Sequence, residues 1–354
     1  TQGLYPPGST FKPFMGMAAL QSGQITPNTV LPAPGAWSIP GSRHQFRDSV
    51  RSGHGSANLG KAIQVSSDTF FYRLGYEMGI DKAYPYLAHF GFGQSTGIDL
   101  PNEYKGILPS PEWKARRFAN SRSESARQWK AADMVTISIG QGYNAYTPLQ
   151  MAHATATLAN NGVMYRPHLV RELIDHQKQT RILVGIQPSA TLPFKPEYFT
   201  FVKQSMERVL RPGGTAWRVG VGLKYSMGGK TGTAQVVQIR QGASYNAAAL
   251  AERHRDHAWF IAFAPAQNPK IAIAVLLENG GWGANAAPVA RQLADFYLLQ
   301  LQSENGKNLP LPKPSVPGDG AMSQAEYPLI HAQAARTLSA YRAVSGSQPA
   351  AASE

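Results

Sequence analysis

Two unbroken apolar runs late in the chain, Ala258 to Ala264 (AWFIAFA) and Ile271 to Leu277 (IAIAVLL), constrain the fold more than any other feature. Runs of this length read as strands, and continuous apolarity reads as burial on both faces. Six residues join them, among them Pro265, Asn268 and Pro269, a hairpin-sized connection. A third strand is expected over Thr233 to Gln238, after a Gly-rich turn. Pro288 to Leu301, with Val289, Leu293, Phe296 and Leu299 apolar, predicts an amphipathic helix that opens at a proline. Much earlier, Ser9 to Gln21 (STFKPFMGMAALQ) is apolar nearly all round, which marks a buried helix, and Ser22-Gly23 is its stop. Helices through the middle and antiparallel strands gathered at the end predict an α+β fold rather than alternating βαβ units.

Composition narrows the function. No run approaches the ~18 apolar residues needed to cross a bilayer. Cysteine is absent, which excludes disulfides, thiolate nucleophiles and Cys-ligated zinc. The net charge of +13 lies entirely before Gln302, because Lys307, Lys313, Arg336 and Arg342 balance Glu304, Asp319, Glu326 and Glu354. Such a field favours anionic surfaces without naming one. The basic stretch Tyr104 to Lys130 reads as a solvated face, and no nucleic acid partner is expected. Ser303 to Gly320 carries four prolines and almost no core-forming residues. Two regions are therefore expected: residues 1–302 as the folded domain, and 303–354 as a Pro-rich linker and low-complexity tail, with at most a short helix on Ile330, Ala334 and Leu338.

Three short segments carry candidate chemistry. Ser9 and Lys12 stand three apart at the start of the buried helix, so the ammonium can reach the hydroxyl. A serine becomes a nucleophile once a neighbouring base takes its proton, and free N–H groups at a helix start suit a developing oxyanion. Ser66-Ser67-Asp68 interrupts an otherwise apolar helical segment; a helix N-cap at Ser67 or Asp68 is the structural alternative to a functional role. Gly228-Gly229-Lys230-Thr231-Gly232-Thr233-Ala234 could bind a carboxylate. A phosphate-binding loop is its rival, but that signature needs glycine where Lys224 stands, and a helix after it rather than a strand.

In this order, with gaps of ~57 and ~160 residues, the three segments form the Ser-x-x-Lys, Ser-x-Asp, Lys-Thr-Gly set of penicillin-binding proteins and serine β-lactamases. Gly97 to Glu103 (GIDLPNE), Ser138 to Ala152 (SIGQGYNAYTPLQMA) and Arg255 to Pro265 (RDHAWFIAFAP) resemble class B penicillin-binding proteins. Trp37 to Asp48 (WSIPGSRHQFRD) with Gly53-His54-Gly55 is similar to the elongation-specific penicillin-binding protein 2 branch. The resemblance covers roughly Leu4 to Leu301.

It implies an antiparallel sheet flanked by helices, with a helical subdomain, and a peptidoglycan D,D-transpeptidase inhibited by β-lactams. Ser9 would be the acylated nucleophile, Lys12 its base and Ser66 a proton relay. Lys230 would be the second cation that helps keep Lys12 neutral. Asp68 would orient the substrate amide and the lysines. Thr231, Gly232 and Thr233 would bind the D-Ala carboxylate, with backbone N–H groups of Ser9 and Thr233 as the oxyanion hole. Implied partners are D-Ala-D-Ala stem peptides, β-lactams, a membrane glycosyltransferase and cell-elongation proteins, at the periplasmic face of the bacterial inner membrane.

Alternatives are a penicillin-recognising receptor domain, or a D,D-carboxypeptidase or β-lactamase in which water attacks the acyl-enzyme. Glu103 is the residue to watch for such hydrolysis, though its LPNEYKG setting resembles the class B pattern, where it is structural. His44, Asp48, His254, Asp256 and His257 could suggest a metal. Some elongation-branch members hold zinc through an Asp-His pair after Phe-Arg and a Cys in the second motif. Those positions read Asp48-Ser49 and Ser67 here, so neither metal nor cofactor is expected, and the His254 to His257 segment is expected to anchor the strand at Ala258. The family places two strands, a pedestal region and a membrane anchor before the nucleophile, whereas eight residues precede Ser9. The chain is therefore expected to be a truncated piece whose Ile271 to Leu277 run forms an open, aggregation-prone edge, unless residues around Ile330 to Tyr341 cover it.

Overall fold

The two apolar runs pair as expected. In the computed structural model, which describes residues 1–175, 177, 180–236 and 250–300, the runs lie antiparallel with Ala258 opposite Leu277 and Ala264 opposite Ile271. The expected linker, the helix around Ile330 and the tail lie outside the described residues.

Along the chain, a 3-10 turn (Gly8–Phe11) leads into α1 (Lys12–Gln21). Two small antiparallel ribbons follow: β1 (Val30–Ala33) pairs with β4 (Gly55–Asn58), and β2 (Ala36–Trp37) with β3 (Phe46–Arg47). Then come α2 (Leu59–Val65), α3 (Asp68–Met78), α4 (Ile80–His89), the short α5 (Pro111–Arg117), α6 (Glu124–Arg127) and α7 (Ala131–Ile137), and α8 (Pro148–Ala159). β5 (Val163–Tyr165) pairs with β8 (Pro188–Thr191). Between them the hairpin β6 (Glu172–Asp175) and β7 (Thr180–Leu183) belongs to a separate compact unit. α9 (Pro196–Arg208) and α10 (Trp217–Gly220) precede the main sheet, β9 (Gly228–Ala234), β10 (His257–Ala264) and β11 (Ile271–Leu277), in the order β11-β10-β9. α11 (Ala287–Asp295) ends in a π-helical turn, Phe296–Gln300.

β10 is the spine of the core. Ala258 through Ala264 are fully buried, with α8 and α11 packed against both β10 and β11 and the 3-10 turn against β9. α1 is buried along almost its whole length, with Phe14 ring-to-ring against Phe90 and Phe92 at 5.1 Å.

The structure corrects four expectations. First, the strand expected over Thr233 to Gln238 begins five residues earlier and contains the Lys-Thr-Gly segment itself. Gly228 and Gly229 are strand residues and not a turn: a Cβ on either would lie 2.3 Å or 2.5 Å from the Phe263 or Phe260 ring, so their bare backbone admits the aromatics of β10. Second, β11 is not buried on both faces; only Ile273 and Val275 are buried, because it is the edge strand and pairs with β10 alone among the described residues. Third, the apolar stripe of α11 faces outward, with Val289, Leu293 and Phe296 at 36, 47 and 50% exposure. Its inward face is Ala287, Ala290 and Ala294, whose small side chains let the helix lie close to the sheet. Fourth, the buried helix is α-helical only from Lys12, and Ser9 sits in the tighter 3-10 turn before it.

Candidate active site

The site is assembled from three pieces of backbone. The 3-10 turn that carries Ser9 lies directly against β9, and Gly8 permits this. Its φ is +53°, and a Cβ there would lie 2.5 Å from Thr233 O and 3.2 Å from Thr233 N.

The second piece is the junction of α2 and α3. Asn58 caps α2 by accepting from Lys61 N–H at 2.9 Å, and Ser67 caps α3 by accepting from Phe70 N–H at 3.4 Å. Ser66 joins the two helices with φ 60°, the left-handed region that costs a non-glycine residue roughly 1–2 kcal/mol. The capping alternative and the functional candidates thus fall on different residues of one tripeptide. Ser67 is spent on the cap, while Ser66 and Asp68 face the lysines.

Both lysines have no exposed surface. Lys230 Nζ donates to Ser66 Oγ at 2.7 Å and to Thr231 O at 2.9 Å. Lys12 Nζ donates to Ser66 O at 2.8 Å, to Ser66 Oγ at 3.3 Å and to Asp68 Oδ1 at 2.6 Å, above the Phe71 ring. Lys12, Ser66, Asp68 and Lys230, separated by up to 218 positions (230 − 12), form one buried network. The expected Ser9–Lys12 hydrogen bond is not part of it: the Lys12 ammonium is occupied by Ser66 and Asp68, and Ser9 is half-buried on the adjoining turn.

Burial pushes the Lys230 amine well below its usual 10.5, the Lys12 charge adds to this, and Asp68 opposes it. Because the folded value lies below the unfolded one, the unfolded chain binds the extra proton between them, and stability rises as pH climbs toward 10.5. Lys230→Met removes this contribution. The urea midpoint of the wild-type chain should therefore gain on that of Lys230→Met between about pH 7 and about pH 10. A gap that stays constant over that range would contradict the depression.

The third piece is the β9 strand. Thr231 Oγ1 meets Thr215 Oγ1 at 2.7 Å. Thr233 Oγ1 accepts from Gly283 N–H at 3.0 Å, and Thr233 O accepts from Gln141 Nε2 at 2.9 Å. Gln141 stands in the SIGQGYNAY segment. Thr215 follows Gly213-Gly214 in a loop with no periodic signal, so no sequence pattern marks it.

The remaining candidates lie elsewhere. Glu103 accepts from Thr96 N–H and Oγ1, both at 2.7 Å, and from Gly97 N–H at 3.0 Å, so it ties down its own loop. His44 packs edge-on against Phe46. Asp256 Oδ1 accepts from Val236 N–H at 3.1 Å and His257 Nδ1 from Asn279 N–H at 2.9 Å, contacts that anchor the chain on either side of the start of β10. His54 Nε2 lies 3.1 Å from Asp48 Oδ1, and the neighbouring Ser49 hydroxyl donates to the same oxygen at 3.4 Å. Among the described residues no three His, Cys, Asp or Glu side chains gather as metal ligands would.

Comparison with known proteins places this geometry. The penicillin binding protein transpeptidase domain family matches residues 1–295. Peptidoglycan D,D-transpeptidase MrdA of Haemophilus influenzae is 42% identical over 302 residues, covering 85% of this chain and 45% of that protein. The protein of the same name in Acinetobacter baumannii is 43% identical over 303 residues, covering 84% and 43%. The chain thus spans about half the length of the curated relatives it matches. The crystal structure of Pseudomonas aeruginosa penicillin-binding protein 2 in complex with WCK 5153 matches with a TM-score of 0.71 at 38% identity, over 84% of this chain and 62% of that one. Penicillin-binding protein 2 in complex with MreC from Helicobacter pylori matches at 0.68 and 34%, over 83% and 49%. With its fold, its three motifs and its relatives in agreement, the chain belongs to the penicillin-binding protein transpeptidase family, on the branch that holds penicillin-binding protein 2.

Proposed function

We propose that this chain is the catalytic domain of a peptidoglycan D,D-transpeptidase that cross-links stem peptides during cell elongation. The observation that carries this reading is the convergence of two fully buried lysines on one serine hydroxyl beside the Ser9 turn. Ser9 Oγ attacks the carbonyl carbon between the two D-Ala residues, and its proton passes to Lys12 once that ammonium has released one of the protons it shares with Ser66 and Asp68. The amide C–N bond breaks, and the departing D-Ala amine takes a proton from Ser66, which Lys230 replenishes across 2.7 Å. An acceptor amine from a neighbouring strand then attacks the Ser9 ester carbonyl and the bond from that carbon to Ser9 Oγ breaks; the amine's proton passes through Ser66 to Lys230, and Lys12 returns its proton to Ser9 Oγ. Because burial depresses its proton affinity, Lys230 gives up a proton more readily than an exposed lysine does.

β9 supplies the other half. Within a strand, a residue's N–H and C=O point to the same side. Because Gln141 takes the Thr233 carbonyl, the Thr233 N–H faces the same side, next to the Ser9 turn, where it and Ser9 N–H serve as oxyanion donors. Thr231, Gly232 and Thr233 line the edge that holds the terminal carboxylate. The engagement of Glu103 with Thr96 and Gly97 favours transfer to an amine over hydrolysis.

In the whole protein we place this domain at the periplasmic face of the inner membrane. There it would work with a membrane glycosyltransferase and with a cell-elongation protein of the kind represented by MreC in the Helicobacter pylori complex. The test is cross-linking of lipid-linked pentapeptide substrate by the full-length protein, scored by mass spectrometry of digested product. Cross-linked dimers support the reading; tetrapeptide released by water alone would favour the carboxypeptidase.

A further inference from the structure

Asp48 is the buried carboxylate that this reaction leaves unused. It directly follows β3, its backbone N–H donates to Gly35 O at 2.9 Å, and its side chain has no exposed surface. Oδ2 accepts from the backbone N–H groups of Asp68 at 2.8 Å and Thr69 at 3.2 Å, and from the Ser67 hydroxyl at 3.1 Å. Oδ1 accepts from Val50 N–H at 3.1 Å and meets His54 Nε2 at 3.1 Å. Burial opposes this charge, yet the N–H groups of Val50 and Thr69, together with Lys12 and His54, hold the carboxyl below its usual range.

The Oδ2 contacts fall on the three residues that follow Ser66. Ser66 itself holds a left-handed conformation that persists only when its surroundings impose it. From the N-terminal side, Ser66 N–H and Ser67 N–H close on Ile63 O and Ala62 O of α2. From the C-terminal side, Asp48 holds the chain at Ser67, Asp68 and Thr69, and Thr69 Oγ1 also donates to Pro34 O at 2.7 Å. We infer that Asp48 is a positioning residue for acylation: by pinning Ser67, Asp68 and Thr69, it holds Ser66 Oγ on both lysines and Asp68 Oδ1 on Lys12. The inference rests on the proposed acylation of Ser9.

Two substitutions separate position from charge. Asp48→Asn keeps an oxygen where Asp68 and Thr69 donate and can turn its NH2 toward the His54 ring, leaving Val50 N–H without its acceptor. Asp48→Glu keeps the charge and moves the oxygens by one methylene. The acylation rate constant and the non-covalent binding constant for a β-lactam are measured separately by stopped flow, normalised to the fraction that labels at Ser9. Displacement of reacting groups by about 1 Å costs up to about 100-fold. Asp48→Asn is therefore expected within about fivefold of wild type, and Asp48→Glu about 100-fold slower, with non-covalent binding little changed in both. The reverse order, or equal rates in the two variants, overturns the inference. A wild-type chain that β-lactams do not label at Ser9 removes the reading and the inference together; a labelled wild type with the wrong order removes only the inference.

Discussion

In Ser9→Ala, incubation with a β-lactam should leave the intact mass unchanged, whereas the wild-type chain gains one drug equivalent that persists for many minutes. Among the described residues, the neighbouring serines of the site are already engaged. Ser66 Oγ already receives Lys230 and Lys12, and Ser67 Oγ is committed to Asp48 and to the Phe70 cap. Lys12→Ala should slow labelling by about 10²–10⁴-fold, the usual worth of a general base. It also leaves Asp68 without its 2.6 Å partner and Ser66 O without a donor, so thermal unfolding must be followed alongside the rate. Labelling of Ser9→Ala at a second serine would sink the assignment of Ser9. Rapid loss of the wild-type adduct, abolished by Glu103→Gln, would instead mark a hydrolase.

Much of this site was legible in the sequence because its chemistry is local in type and ordered along the chain. Three short motifs named the side chains, and the apolar runs fixed the strand pair that one motif borders. What escaped was whatever depends on contacts between distant segments. The glycines before Lys230 look like turn punctuation in the sequence, but they are small to admit Phe260 and Phe263 from β10. The periodicity of Pro288 to Leu301 predicts an apolar face on α11 but not its direction; alanines occupy the inner side, where they fit close to the sheet. The sequence offers Asp48 only as a possible metal ligand beside Ser49. Its partner His54 stands six positions on, and the N–H groups it holds are backbone, which carries no sequence signal. The absence of a Ser9–Lys12 hydrogen bond follows the same logic: i, i+3 spacing permits the contact, but the Asp68 carboxylate and the Ser66 carbonyl compete for the same ammonium.

Gly8→Ala should be among the most damaging single changes that leave every motif residue intact. At φ +53° an L side chain is strained by roughly 1–2 kcal/mol, before any contact is counted. The added Cβ would sit 2.5 Å from Thr233 O and 2.9 Å from Thr233 C, both backbone atoms of a strand that β10 holds across its full length. β9 cannot yield cheaply, so the 3-10 turn must move, and Ser9 moves with it. Overpacking of this kind typically costs a further 1–3 kcal/mol, so a total of roughly 2–5 kcal/mol is expected in the urea-derived stability. The functional loss is expected to be larger than the folding loss suggests. Displacing Ser9 from Thr233 would separate the proposed nucleophile from the strand proposed to supply the second oxyanion donor, and an error of about 1 Å costs about 100-fold in rate. Acylation of the folded fraction should therefore fall by at least about 100-fold while its intact mass still shows one adduct at Ser9. Gly8→Ala with a wild-type acylation rate constant would mean that the turn and β9 are not in the tight register seen here, and that Thr233 N–H is not the oxyanion donor.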